Sequence, residues 1–231
     1  MFLERARRAR LLAEQYPASR EILVFYAGVA EWQSRVTAPD LHGLRTFLPS
    51  LLDLVVRTAP PTLADTARQL EPAAFDRLIA GYWEAADSAG DVSTSQFFAR
   101  ALLQPYAAKL PAGLDCPWCR KPPQVGCLQP QAEGLAFEIS CALCMRRRAF
   151  ERGRCPGCNE STESQLCSFT TPDFPHLRLQ ACDRCKGYLQ VIDLSRDPAA
   201  IPEVDELAGL PLDLWAQEHG YHKLQSNIVG I

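Results

Sequence analysis

The chain has 231 residues and a formal net charge of −3, with 47% hydrophobic and 22% charged residues. This is an ordinary globular composition, and the length suffices for one large or two small domains with a hydrophobic core. No apolar run approaches the eighteen residues of a membrane span, and no apolar signal-peptide segment follows the N-terminal arginines. We therefore expect a cytoplasmic protein without membrane insertion, whose cysteines remain reduced.

Residues 1–112 are expected to form a helical domain. Apolar side chains recur at the i, i+3, i+4, i+7 spacing of a helix over residues 22–36 and 75–86. Pro49 can open a further helix, because proline is tolerated in a first helical turn. A last helical pattern covers residues 97–106. We place the domain boundary between residues 112 and 113.

Eight of the ten cysteines lie in four Cys-x-x-Cys pairs in the central part of the chain. They are Cys116 and Cys119, Cys141 and Cys144, Cys155 and Cys158, and Cys182 and Cys185. Four thiolates bind zinc, or the single iron of a rubredoxin-type centre, in tetrahedral geometry, and two intervening residues let one tight turn present both sulfurs. The eight cysteines therefore predict two metal ions. Thiolates suit iron and zinc alike, so the sequence does not identify the metal.

The four pairs form a repeat. CPWC and CPGC each begin a unit, and CALC and CDRC close the respective units. The repeat predicts that the first two pairs share one metal and the last two the other, and an interleaved arrangement is the alternative. We expect two tandem rubredoxin-like zinc ribbons over residues 113–154 and 155–200. Short alternating runs at residues 135–139 and 189–191 are typical of their strands.

Two other interpretations of the cysteine pairs are weaker. A redox Cys-x-x-Cys normally stands singly at the start of a helix, and a disulfide framework belongs to secreted chains. The two remaining cysteines, Cys127 and Cys167, are expected to pack as small apolar residues on the first strand of each ribbon. Ligand or sensor roles are the alternatives for them.

Charge argues against a nucleic-acid partner. Residues 113–194 carry ten basic and nine acidic groups, and eight thiolates with two divalent ions change this formal +1 to about −3. The exception is a basic run made of Arg146, Arg147, Arg148 and Arg152. It either compensates the thiolate charge or forms a docking patch for an acidic protein surface.

After residue 200 a helical pattern returns, and we treat residues 201–231 as a C-terminal helical segment. Pro211 is expected to kink or split this helix, and Gly220 is placed as its C-cap. The whole pattern predicts an α+β protein in which a helical bundle precedes the two ribbons. No catalytic constellation is present: His42, His176, His219 and His222 are scattered and are expected at the surface or in helix caps, so we do not expect an enzyme.

From Cys182 to Tyr221 the chain is CDRCKGYLQVIDLSRDPAAIPEVDELAGLPLDLWAQEHGY, with CPWC and CALC upstream. This sequence resembles the FdhE family of formate dehydrogenase accessory proteins over residues 114–228. The resemblance implies that the cysteine pairs bind iron or zinc in rubredoxin-like folds. The family's Cys-Asp-x-Cys-x-x-Tyr signature maps onto Cys182–Tyr188, and its acidic pair before the C-terminal helix maps onto Asp205 and Glu206.

The resemblance also implies a cytoplasmic, non-enzymatic function. Such a protein binds the catalytic subunit of an exported, molybdenum- or tungsten-dependent formate dehydrogenase and supports its maturation before transport. Asp205, Glu206 and the basic run are the candidate partner contacts, and a homodimer is left open. Arg148, Gln190 and Pro211 depart from the family pattern. A rubredoxin-type electron-transfer protein and a ribbon-type interaction module for another oxidoreductase are the alternative functions.

Overall fold

A computed structural model of the chain describes residues 1–84, 94–111, 116 and 118–230. The boundary expected between residues 112 and 113 and the last part of the 75–86 pattern lie outside the described residues.

Helices make up the described N-terminal part. They are α1 (Phe2–Gln15), α2 (Arg20–Gln33), α3 (Leu48–Thr58), α4 (Pro61–Gln69), α5 (Phe75–Glu84) and α6 (Thr94–Ala107). Pro49 lies in the first turn of α3 as expected, and Pro61 opens α4, where a missing backbone N–H costs nothing. The sequence patterns did not predict α1 and α4. None of the described helices is both long and apolar enough to cross a membrane.

The two ribbons are joined in one sheet. Its described strands are β1 (Val125–Gln131), β2 (Gly134–Ser140), β3 (Arg147–Ala149), β4 (Leu166–Thr170), β5 (Leu177–Cys182), β6 (Gly187–Asp193) and β7 (His222–Lys223). The order is β3-β2-β1-β6-β5-β4, and β7 also pairs with β6. Within each ribbon the strands are antiparallel, whereas β1 and β6 pair in parallel and join the ribbons edge to edge.

This junction is tightly packed. Gly126 lies opposite Val191 across the β1–β6 pair. A Cβ atom on Gly126 would meet the ring of Phe137 and the side chain of Val191. Any larger residue at position 126 would therefore force the Phe137 ring to shift where the two ribbons join.

The C-terminal segment consists of two helices, α7 (Pro202–Ala208) and α8 (Leu210–Glu218), so the expected split is confirmed. The Nε2 of Gln190 donates to the carbonyls of Glu206 and Gly209 at 3.1 and 3.2 Å, and thus satisfies acceptors at the break. A Cβ on Gly209 would collide with Gln190 and Leu177. Pro211 lies in the first turn of α8, where it is tolerated.

Helix α7 lies between the ribbons and the helical part. All seven of its residues are buried, and it packs on α1, α2, β1 and β6. One hydrophobic core consequently extends from Leu12 through Val204 to Leu179. A smaller core on the ribbons consists of Leu128, Phe137, Ile139, Leu189 and Val191. The expected α+β class, with helices followed by two ribbon-type modules, is confirmed.

Candidate metal centres

The first cysteine cluster, site A, brings together Cys116, Cys119, Cys141 and Cys144. The Sγ atoms of Cys116 and Cys141 are 4.0 Å apart, and those of Cys119 and Cys144 are 3.4 Å apart. Four sulfurs bound tetrahedrally at about 2.3 Å from a zinc ion lie about 3.8 Å from one another. Site A has the donor set and the approximate spacing for one metal ion.

The second cluster, site B, brings together Cys155, Cys158, Cys182 and Cys185. The Sγ atoms of Cys155 and Cys185, and those of Cys158 and Cys182, are each 3.7 Å apart. The structure thus groups the cysteines by repeat unit and not in the interleaved arrangement. Each of the two groups could hold a metal ion.

Three of the turns between paired cysteines end in a left-handed residue. Met145, Asn159 and Lys186 each follow the second cysteine of a pair, and their φ angles are 59°, 61° and 56°. A non-glycine residue rarely adopts this conformation, which costs about 1 kcal/mol or more. This strained conformation turns the chain so that both sulfurs of a pair point towards the same position.

Backbone N–H groups also point at the sulfurs of site B. Gly157 N–H donates to the Sγ of Cys155, and Gly187 N–H donates to the Sγ of Cys185, both at 3.4 Å. Hydrogen bonds of this kind favour the thiolate form of a sulfur. Leu224 lies over both turns, because a Cβ on Gly157 or Gly187 would collide with its side chain.

Site A is enclosed by the N-terminal helices. The ring of Trp118 stacks on Tyr82 of α5 with centroids 4.5 Å apart, and its Nε1 donates to the Tyr82 carbonyl at 3.1 Å. Arg100 and Gln104 of α6 donate to the carbonyl of Ala142, between the second pair of cysteines, each with a bond of 3.1 Å. The metal-binding turns of site A are therefore held by the helical part of the protein.

Site B is nearer to solvent. Cys155 and Cys182 are buried, whereas Cys158 and Cys185 are half-buried. No helix of the described N-terminal part makes a bond to its turns comparable to those of Arg100 and Gln104. The two sites therefore differ in access to solvent although they have the same four donors.

The thiols of each site are expected to lose their protons together only when a cation is bound. Burial, together with the neighbouring sulfurs, raises the pKa of Cys119 and of Cys155 to about 12. Hydrogen bonds from Cys116 and Cys141 instead lower the pKa of Cys144. All four thiols of a site ionise together only if a positive ion compensates them, and a metal ion does so because thiolate binding releases the protons. The chemistry of both sites fits tetrathiolate coordination of zinc or iron, with a structural effect on the surrounding turns.

Cys127 and Cys167 lie outside both clusters. Cys127 is buried on β1, and Cys167 is half-buried on β4. These are the first strands of the two ribbons, as expected. The Sγ of Cys167 donates to the Oδ2 of Asp183 at 3.3 Å.

Asp205 was expected to contact a partner, but it is fully buried. Arg8 of α1 donates to both of its carboxylate oxygens, and the Nε2 of His176 lies 3.0 Å from its Oδ1. His176 is buried too, which corrects the expectation that it lies at the surface or in a cap. Asp197 approaches the same cluster, but the guanidinium of Arg8 already supplies the positive charge there. This cluster is an internal ion pair.

Glu206 is also fully buried. The Nε2 of Gln124 donates to its Oε1, and the Nζ of Lys223 lies 3.2 Å from its Oε2 and 3.1 Å from the Oδ2 of Asp213. Burial raises the pKa of Glu206 to about 7. The expected partner contact through Asp205 and Glu206 does not fit this placement, because both carboxylates are bound inside the protein.

The basic run does not form a single surface. Arg146 donates to the carbonyls of Leu110 and Pro111, which ties it to the end of the helical part. Arg147 and Arg148 are exposed neighbours on β3, and successive residues of a strand point to opposite faces of a sheet. Arg152 is exposed in the following loop. The predicted docking patch is therefore divided among different directions.

Sequence reasoning missed the charges that join the helices to the ribbons. Arg5 pairs with Glu203 at 3.1 Å, and both side chains are about 95% buried. Arg100 reaches the carbonyl of Ser226 at 2.7 Å. A charged residue on an amphipathic helix normally indicates the solvent face, so composition and spacing gave no signal. The arginines at positions 5 and 8, one helical turn apart, were the nearest indication.

Comparison with known proteins finds similarity to FdhE proteins. The FdhE C-terminal domain matches residues 154–229. An FdhE homolog of Aquifex aeolicus (strain VF5) is 22% identical over 96% of this chain and 93% of its own length. One of Haemophilus influenzae (strain PittGG) is 25% identical over 96% of this chain and 85% of its own length. One of Pseudomonas putida is 32% identical, but over 52% of this chain and 40% of its own length.

A solved structure has the same fold. The crystal structure of the FdhE protein from Pseudomonas aeruginosa superposes with a TM-score of 0.71, covering 100% of this chain and 95% of that one at 23% identity. The domain match lies on site B, α7 and α8, and the alignments with full-length relatives include the N-terminal helices. The chain is therefore similar to FdhE proteins over its whole length, and its C-terminal third matches the FdhE C-terminal domain.

Proposed function

We propose that the chain is a formate dehydrogenase accessory protein that binds the catalytic subunit of an exported formate dehydrogenase in the cytoplasm and supports its maturation. The observation that carries the proposal is the similarity to FdhE proteins together with two four-cysteine sites on one sheet. Neither site needs to take part in catalysis. The metals stabilise the turns that shape the ribbon surface, because metal binding to a small ribbon also supplies folding free energy.

The test is co-purification under anaerobic conditions. The tagged chain is expressed with the catalytic subunit from the same host, and retention of that subunit is measured together with metal content. We expect the wild-type chain to retain the subunit with two metal ions per chain. A chain that retains no subunit under these conditions contradicts the proposal.

Two cysteine variants separate a metal effect from a general cysteine effect. Cys158→Ser removes one ligand of site B, so retention of the subunit is expected to fall with the metal count. Cys127→Ser changes a buried cysteine outside both clusters and is the matched control. Equal retention of the catalytic subunit by both variants would show that partner binding does not need the metal of site B.

Electron transfer is the competing function, and the access of site B to solvent favours it. Half-buried sulfurs at Cys158 and Cys185 are suited to exchange of electrons with a partner if the metal is iron. Elemental analysis and redox titration of the anaerobically purified protein distinguish the two functions. A zinc protein, or an iron protein that does not exchange electrons with its partner, supports the accessory function.

A further inference from the structure

The two outer edges of the sheet differ in character. At one edge, β3 has only three residues, and two of them are the exposed Arg147 and Arg148. Short length and positive charge are common protections against unwanted strand pairing. At the other edge, β4 has five residues, Leu-Cys-Ser-Phe-Thr, with neither a charge nor a proline. This edge lacks those protections.

The backbone of β4 offers free hydrogen-bonding groups. The N–H of Asp183 donates to the carbonyl of Gln165 at 2.8 Å, which makes these two residues a hydrogen-bonded pair in the antiparallel register of β4 and β5. Hydrogen-bonded pairs alternate along such a ladder. The N–H and carbonyl groups of Ser168 and Thr170 therefore point away from β5. In the described part of the chain no other backbone group bonds to them.

An aromatic surface lies along one face of this edge. The ring of Phe169 is 4.8 Å from that of Trp215 and 6.1 Å from that of Tyr221, and all three side chains are half-buried. His219, which is exposed, stacks on Trp215 with centroids 4.1 Å apart. Side chains of an added strand that point to this face would contact aromatic rings.

The opposite face of the same edge carries a cavity. It has a volume of about 160 Å³ and is lined by Leu166, Ser168, Gln180 and Leu224, together with Cys155 and Cys182 of site B. Successive side chains of an added strand would alternate between this cavity and the aromatic face. A strand bound here would lie beside the second metal site.

Charge at the two ends of β4 indicates the chemistry of the occupant. Glu163 before the strand and Asp173 after it are exposed, and no ion pair joins either carboxylate to another described residue. Nearby acidic side chains are neutralised: Glu160 pairs with Arg184 at 2.9 Å, and Asp183 pairs with Lys186 at 2.6 Å. The uncompensated charge at both ends of the edge is therefore negative.

We propose that β4 binds an extended segment of the partner protein by strand addition. The segment is uncharged along the five residues that face β4 and carries lysine or arginine beyond its ends. Backbone hydrogen bonds to Ser168 and Thr170 hold it, and the acidic residues at positions 163 and 173 select its charge. The proposal rests on the proposed function, since the segment belongs to the catalytic subunit.

A second copy of this chain fits the edge less well. In the antiparallel pairing that centres on Ser168, Glu163 of one copy would lie opposite Asp173 of the other at both ends. Like charges directly opposite each other on paired strands are destabilising. A segment from another protein with basic residues at its ends would instead place opposite charges beside Glu163 and Asp173, which is stabilising.

The test uses overlapping peptides that cover the catalytic subunit, probed with the metal-loaded full chain. Bound peptides are expected to be uncharged segments flanked by lysine or arginine. Ser168→Pro removes an outward N–H and should weaken binding at least about tenfold, whereas Ser168→Ala keeps the N–H and should bind as the wild type does. Because the N–H makes no internal bond, Ser168→Pro should retain both metals, which elemental analysis checks.

A charge reversal provides a second variant that keeps the fold. The double variant Glu163→Lys/Asp173→Lys changes two exposed side chains and should shift preference towards segments flanked by acidic residues. If both variants bind the same peptides as the wild-type chain does, with unchanged affinity, the proposal is overturned. It is overturned as well if the wild-type chain forms a dimer that Ser168→Pro dissociates, because the edge then belongs to a second copy.

Failure of this inference is distinguishable from failure of the proposed function. If the intact subunit is retained equally by the wild type and by Ser168→Pro, the docking surface is wrong and the accessory function stands. If the peptides bind with the expected pattern but the intact subunit is never retained, strand addition stands and the accessory function falls.

Discussion

Arg8 and Asp205 are 197 positions apart in the chain and form a two-point ion pair, in which the Nε of Arg8 lies 3.0 Å from the Oδ2 of Asp205 and its Nη2 donates to the Oδ1. The same carboxylate accepts the N–H of Ile201 at 2.8 Å and contacts His176. It thus caps the start of α7 and fastens that helix to α1. The first helix of the protein is in this way attached to the ribbons.

Breaking this pair should destabilise the whole protein. Arg8→Met leaves a fully buried carboxylate with less compensation, so the free energy of unfolding should fall by about 3 kcal/mol. Arg10→Met is the matched control, since Arg10 pairs with Glu31 while 53% of its side chain is exposed and the loss should be under about 1 kcal/mol. Urea unfolding measures both, and equal losses would contradict the buried role of Arg8.

Glu206 should make stability depend on pH. Burial raises its pKa from 4.5 to about 7, while Asp213 and Glu206 raise the pKa of Lys223 against the effect of its burial. The folded state therefore binds a proton that the unfolded state releases between pH 4.5 and about 7. Over that window the free energy of unfolding should fall as pH rises, by roughly 3 kcal/mol in total.

The comparison with Glu206→Gln isolates this effect. The variant keeps an oxygen for the Gln124 donor but cannot ionise, so the difference from wild type should be small near pH 4.5 and grow until about pH 7. Glu218→Gln, at an exposed position near the end of α8, serves as the control. A difference from wild type that does not change with pH would show that Glu206 does not titrate in this range.

The left-handed turn at Asn159 predicts a local effect on site B. Asparagine tolerates this conformation and a β-branched residue does not, so Asn159→Val should cost about 1–3 kcal/mol and weaken metal retention at site B. Asn159→Gly relieves the strain and is the matched control. Competition with a chelating dye measures retention, and a loss confined to site A would contradict the assignment of this turn.

The two four-cysteine clusters could be predicted from the sequence, because a Cys-x-x-Cys turn is local and its repeat is regular. Pro211 likewise marks the division of α7 from α8. The join between the ribbons could not be predicted in this way. The parallel pairing of β1 with β6 joins Gly126 to Val191, and no local pattern specifies a partner so far along the chain.

The burial of Asp205, Glu206 and His176 could not be predicted from the sequence either. A charged residue at a helix start is usually exposed, and the sequence cannot show that Arg8 and Lys223 arrive from distant segments to compensate it. The division of the basic run has a local reason: Arg147 and Arg148 are consecutive residues of a short strand, and such residues point to opposite faces of a sheet.

The two metals should leave the protein at different rates. Site A is held by Trp118 on Tyr82 and by Arg100 on the Ala142 carbonyl, whereas Cys158 and Cys185 of site B are half-buried. A chelating dye added to the zinc-loaded protein should therefore capture one equivalent quickly and a second slowly. Release from site A requires opening of its contacts with α5 and α6, and a stable local structure opens rarely.

Single-site variants assign the phases of that release. Cys158→Ser should lack the fast phase, and Cys119→Ser should lack the slow one. Leu224→Ala uncovers the turns at Gly157 and Gly187 and should accelerate the fast phase alone, while Leu214→Ala changes a leucine that is 51% exposed and should leave both rates unchanged. If Cys119→Ser removed the fast phase instead, site A would be the labile site, and the helices would not protect its metal as the contacts of Trp118 and Arg100 require.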